Sequence, residues 1–243
     1  MDLKKLREMV RKHANTEKAK VLKRFFKTGP GEYAEGDIFL GIKVPVLRDL
    51  AKQYKDLKLT GTLTLLKSPI HEERLLALLI LIHKYRAAEV SGKERIYKAY
   101  LRYRRFINNW DLVDVSAKHI VGDYLYNRNK KPLYRLARSR SLWERRIAII
   151  STFNFIEKRQ FDDTLKIAEM LLLDDHDLIH KAVGWMLREV GKRDRAAEER
   201  FLEENYTIMP RTMLRYAIEK FQTVKRRAYL NKGGEGCKGL SIR

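Results

Sequence analysis

The chain of 243 residues carries a single cysteine, Cys237, so no internal disulfide can staple it and a reducing compartment is the natural setting. Its longest apolar run, Leu75 to Ile82, falls far short of the roughly 20 residues that cross a bilayer. The opening Met-Asp-Leu-Lys-Lys has no apolar centre of a signal peptide, and a cytoplasmic protein with no membrane partner is expected. Alternating strand patterns are missing throughout. Negative charge is also short, with 31 Asp and Glu against 52 Lys and Arg and a formal net charge of +21. An excess of that size repels itself unless a polyanion relieves it, and nucleic acid is the commonest such partner. The plainer alternative is a basic surface that serves solubility alone.

What is present is helical periodicity. Residues 2–28 read as two helices broken near Asn15 and Thr16, with Val21, Leu22, Phe25 and Phe26 as the apolar stripe of the second. Gly29, Pro30, Gly31, Gly36 and Gly41 forbid a continuous helix over 29–43. Further helices are predicted from Pro45, from Ser68-Pro69 to about Tyr85, from Ser91 to about Phe106, and from Trp110 to about Tyr126. Beyond these, Pro132, Ser141, Asp162 or Asp163, Asp177, Asp194 and Pro210 open the rest. A faint repeat aligns Glu72-Glu73-Arg74, Trp110-Asp111-Leu112, Glu144-Arg145-Arg146, His180-Lys181-Ala182 and Arg211-Thr212-Met213 at the period of stacked helical pairs. The expected fold class is therefore all-α, an α-solenoid with a concave wall. It should form one domain over 1–230 whose weakest seam lies near residue 90, followed by a disordered Gly-Lys tail over 231–243.

Asn109 is a good N-cap, and the helix it opens places Trp110, Asp114 and Lys118 on one face. Val113, Ala117, Ile120 and Val121 supply enough apolar surface to dock that helix without the tryptophan. Asp114 is either an intrahelical ion-pair partner, worth a few tenths of a kcal/mol, or an acid turned toward a ligand. A second constellation, Lys181 to Arg188, puts Lys181, Trp185 and Arg188 on a shared face, with Gly184 leaving room beside the indole. Two tryptophans among basic residues suit a cationic aromatic ligand held over phosphates. Arg146, next to Arg145, could grip a phosphate bidentately or pair with Asp114. His176-Asp177-Leu178-Ile179-His180 has the spacing of a zinc helix, but Asp177 reads as a helix cap and no third ligand is evident. The glycines at 29–41 lack the lysine-serine ending of a phosphate loop.

Phe39-Leu-Gly-Ile-Lys-Val-Pro45, Asn109-Trp-Asp-Leu-Val-Asp114, Trp143-Glu-Arg-Arg146 and Lys181-Ala-Val-Gly-Trp-Met-Leu-Arg-Glu189 together resemble the AlkD-like DNA glycosylases, over about residues 15–230. The resemblance implies HEAT-like repeats, a concave face for duplex DNA, and release of N3- and N7-alkylated purines in base excision repair without cofactor or metal. It implies Asp114 as the catalytic aspartate, Trp110 and Trp185 as the site tryptophans and Arg146 as the site arginine. Lys118, Arg145, Lys181, Arg188, Arg211 and Arg215 are then expected DNA contacts. A monomer that associates with the nucleoid when bound to DNA is expected as well. The competing reading is a non-catalytic helical-repeat protein for damaged or branched nucleic acid. It explains the charge but not an acid at position 114.

Overall fold

The computed structural model describes residues 2–232, which are helical with no β-strand among them; one isolated parallel bridge joins Ile38 to Ile70. The all-α class expected from the sequence is the one found. The chain divides into two compact units, one ending at Tyr124 and the other beginning at Leu125. The seam does not lie near residue 90, because the helices on either side of that point pack on common neighbours.

The first unit holds α1 (Leu3–Lys12), α2 (Thr16–Phe25), α3 (Val44–Gln53), α4 (Leu59–Leu66), α5 (His71–Ala87), α6 (Val90–Arg102) and α7 (Trp110–Ala117). A π-helical turn, Lys118–Gly122, extends α7 into the short α8 (Asp123–Leu125). Asp2 caps α1 by accepting from the Lys4 N–H at 3.0 Å, and Asn15 caps α2 from Lys18 at 2.9 Å. Helix α5 is apolar all round from Leu75 to Ile82 and every residue of that run is buried, as a helix without a polar face requires. Against expectation, α2 buries none of its residues: Val21 and Phe25 of the predicted stripe are 59% and 61% exposed. Helix α4 went unread because its Leu-Thr-Gly-Thr-Leu-Thr sequence mixes strand formers and glycine, and burial of Thr62, Leu65 and Leu66 overrides that preference.

The loop over 29–43 is held by a carboxylate. Glu72 Oε1 accepts the Leu40, Gly41 and Ile42 N–H groups at 3.0, 2.8 and 3.3 Å, which settles three backbone donors in a segment with no helix. Gly41 sits at φ +81°, and a Cβ there would lie 2.1 Å from the Asn15 carbonyl oxygen. The loop thus threads against the start of α2 and delivers Phe39 to the interior.

The second unit holds α9 (Lys131–Ala137), α10 (Leu142–Ser151), α11 (Phe153–Glu157), α12 (Asp162–Met170), α13 (Asp177–Gly191), α14 (Arg195–Asn205), α15 (Arg211–Ala217) and α16 (Thr223–Lys232). The helix that Ser141 opens is broken at Thr152. There the Ser151 and Thr152 hydroxyls donate to the carbonyls of Ile147 and Ile149 at 2.6 and 2.7 Å and compete with the helix ladder. Helix α13 is capped by His176, whose Nδ1 accepts from the Leu178 N–H at 3.1 Å, and not by Asp177. The helix α16 was not anticipated; it ends at Lys232, and the rest of the expected tail, Cys237 included, lies outside the described residues.

The repeat is real but its register shifts. At the fourth position of α5, Arg74 donates to the carbonyls of Ser68 and Pro69 and pairs with Asp37 at 2.7 Å. At the fourth position of α10, Arg145 donates to the carbonyls of Ser139 and Arg140 and pairs with Asp174 at 2.5 Å. His180, fourth in α13, reaches back to the Asp174 carbonyl in the same way. Arg145 and His180, not Arg146 and Ala182, are therefore the equivalents of Arg74. Each ties a helix start to the turn before it.

Candidate functional site

Asn109 is fully buried and its Oδ1 accepts the Trp110 N–H at 2.8 Å, so the cap fixes where α7 begins. Leu112, Val113, Ser116 and Ala117 bury the inner face, while Trp110, Asp114 and Lys118 remain half-buried on the other. Buried Tyr100 donates or accepts with Ser116 Oγ at 2.9 Å; burial drives its phenol far above the ordinary range, and the Asp114 charge adds to that. Asp114 thus lies near buried Tyr100 on the outer face of α7, partly open to solvent.

Trp110 is not isolated. Its ring stacks on Phe26 at 5.3 Å and 21°, Phe26 on Phe39 at 5.0 Å and 17°, and Phe39 on the imidazole of His71 at 4.5 Å and 21°. Phe25 meets the same indole edge-on at 6.0 Å. Such offset and edge contacts are each worth about 1 kcal/mol beyond buried area. The result is an exposed Phe25 against a half-buried Trp110, backed by a column that runs into the core.

The column ends on charge. His71 Nε2 lies 2.8 Å from Asp111 Oδ2 and its Nδ1 lies 3.2 Å from Asp37 Oδ2, while Asn108 Nδ2 reaches Asp37 Oδ1 at 3.4 Å. Burial opposes a charge on the His71 ring, but its hydrogen bonds to Asp111 and Asp37 outweigh that and raise its pKa above the usual 6.5. For Asp37, burial is again the largest influence and works against ionisation. The bonds from His71 and the nearby Arg74 overcome it and hold the carboxyl below its ordinary value.

In the second unit Arg146 is 5% exposed and donates through Nη1 to the Leu178 carbonyl. Trp185 is half-buried; its Nε1–H points to Glu189 Oε1 at 3.3 Å and Phe153 meets its ring edge-on at 5.8 Å. Glu189 also receives Lys192 at 2.6 Å and Arg193 at 3.0 Å, so the indole is oriented by a carboxylate already neutralised by two cations. Of the expected DNA contacts, Arg145 is committed to its clamp, Lys181 pairs with Asp177 at 2.6 Å, and Arg188 pairs with Glu219. Arg211 is exposed and donates to the Leu230 carbonyl at 2.5 Å; Arg215 is exposed. The space beside Gly184 admits no ligand, since a Cβ there would lie 2.4 Å from the Met213 carbonyl oxygen of α15. His176 and His180 serve a cap and a turn, and among the described residues no group of three His, Cys, Asp or Glu side chains is placed to hold a metal.

A family profile described as "DNA alkylation repair enzyme" matches residues 6–221. The chain belongs to that family. A solved structure titled "Predicted DNA alkylation repair enzyme from Enterococcus faecalis" is similar at a TM-score of 0.68 and 18% identity, over 87% of this chain and 98% of that one. At that identity the likeness speaks for the fold. No curated protein matches significantly.

Sequence reasoning toward this alkylation repair family passed over Phe25, Phe26, His71 and Asp111. Two signals were available. Helix α2 carries Lys18, Lys20, Lys23 and Arg24, charges that crowd the face on which Phe25 stays exposed. The run His71-Glu72-Glu73-Arg74 is the first turn of α5, directly before its all-apolar stretch, and four buried ionisable residues demand partners.

Proposed function

We propose that this alkylation repair protein is a monofunctional DNA glycosylase that hydrolyses the N-glycosidic bond of cationic N3- and N7-alkylated purines in duplex DNA. The observation that carries the reading is a half-buried carboxylate, Asp114, one helical turn from a tryptophan whose ring is fixed by a stack, in a chain of the alkylation repair family. Alkylation at N7 or N3 makes the purine cationic, so it leaves as a neutral base and needs no general acid. The difficulty moves to the sugar, which becomes oxocarbenium-like in the transition state. A fixed carboxylate stabilises that charge and orients the attacking water, the division of labour found in glycoside hydrolysis.

Trp110 offers a π face to the positively charged nucleotide, with Phe25 extending the apolar surface beside it. In the second unit the exposed arginines Arg211 and Arg215 are assigned to the DNA backbone. The test is release of 7-methylguanine from alkylated duplex by the wild type and by Asp114→Asn. We expect the variant to lose at least about 100-fold, as other removals of a group that stabilises transition-state charge do. Equal release by both would remove Asp114 from the chemistry. No release from the wild type, together with tighter DNA binding by Asp114→Asn, would favour the non-catalytic nucleic-acid binder.

A further inference from the structure

His71 lies at the first residue of α5, buried to 2% exposure, and each of its ring nitrogens faces a different carboxylate from a different part of the first unit. Asp37 comes from the loop before α3 and Asp111 from the first turn of α7, the residue next to Trp110. A neutral imidazole has one N–H and one lone pair. Whichever nitrogen lacked the proton would turn its lone pair on a carboxylate oxygen, so only the imidazolium can donate to both at once.

The ring is also the last member of the column that passes through Phe39 and Phe26 to Trp110. A cation on that ring is attracted by the face of Phe39, which strengthens the stack at its buried end. Two routes therefore lead from one side chain to Trp110, one through the Asp111 hydrogen bond to the helix start and one through three ring contacts. The charged groups around His71 are few. From its own helix come Glu72, turned to the loop amides, Glu73, paired with Arg7 at 3.1 Å, and Arg74, paired with Asp37; from the loop comes Asp37 and from α7 comes Asp111. Phe26, directly after α2, adds a neutral ring at 5.1 Å.

We propose that His71 is a positioning residue for the Trp110 and Asp114 face: as an imidazolium bridging Asp37 and Asp111 it locks the first turn of α7 and the orientation of the indole, and its deprotonation releases both. The functional half rests on the glycosylase reading above; the structural half does not. Base release is then limited at alkaline pH by a group that never touches the substrate.

The decisive measurement is NMR on the wild-type protein, following the His71 ring carbons and the Trp110 indole N–H, assigned by His71→Gln and Trp110→Phe, across a pH series. His71 should titrate with a midpoint above 6.5, and the Trp110 resonance should move with that same midpoint. In His71→Gln, whose amide neither carries charge nor titrates, the Trp110 movement should vanish. A Trp110 resonance that stays still while His71 titrates, or a His71 midpoint at or below 6.5, would overturn the proposal, and both are read on the wild type even if the variant does not fold. In parallel, kcat for 7-methylguanine release should fall roughly tenfold through the NMR midpoint, about the size of one lost charge-assisted hydrogen bond, with KM little changed. A kcat that is flat across that midpoint would sever His71 from the reaction. If no base is released at any pH, the glycosylase reading fails while the NMR result still decides whether His71 positions Trp110.

Discussion

At the residue scale, burial and close approach give sharp expectations. Gly41→Ala must fit a Cβ 2.1 Å from a backbone oxygen at a φ of +81°, which nothing flexible can relieve. We expect a loss of about 3 kcal/mol in urea unfolding. Glu198 is a different case. Its carboxyl is almost fully buried, Oε2 has Arg195 at 3.3 Å, Oε1 has no hydrogen-bond partner, and burial pushes its pKa up to about 8. A folded carboxyl that holds its proton more tightly than the unfolded one contributes stability that is full below pH 4.5 and is lost as the pH rises through about 8. Glu198→Gln removes the titration. It should match the wild type near pH 5 and exceed it by several kcal/mol near pH 9; thermal unfolding at the two values would show this, and an equal offset at both would refute it.

At the scale of elements, the clamps at α5 and α10 separate structural arginines from binding ones. Arg145 donates to Asp174 and two turn carbonyls, and removing it leaves a carboxylate that is 5% exposed with the His176 N–H but without its cation. Arg145→Ala should cost about 3 kcal/mol of stability. Most helices from α5 to α15, the capping role of Asn109 and the buried run of α5 could be read from the sequence, because they rest on local propensity and periodicity; the break between α10 and α11 could not. The face that Trp110 and Asp114 share on α7 was legible in the same way, from a spacing of four residues. His71 and Phe39 were not, since their importance comes from the loop fold over 29–43, and no period in a glycine-rich segment tells where its side chains go. The exposure of α2 was misread because an apolar stripe looks the same whether it meets a core or solvent. Arg145 and Arg188 looked like phosphate ligands for the converse reason: their carboxylate partners, Asp174 and Glu219, stand 29 and 31 residues away.

At the scale of the whole molecule, a net charge of +21 makes some affinity for any duplex unavoidable, so affinity alone says little about which residues bind. The salt dependence does. Each phosphate contact contributes roughly −0.9 to the slope of log K against log salt for duplex DNA. If all six of Lys118, Arg145, Lys181, Arg188, Arg211 and Arg215 touched phosphates, their share of the slope would be about −5. Arg145 cannot leave its clamp without exposing Asp174, and Arg188 must first give up Glu219. Arg215 is exposed and surrenders nothing. On undamaged duplex, Arg215→Ala should therefore flatten the slope by nearly one unit, Arg188→Ala by less, and Arg145→Ala not at all at temperatures where it remains folded. A full-unit change for Arg145→Ala would mean that the clamp opens on DNA, with Asp174 freed to repel the same phosphate that its arginine had gone to meet.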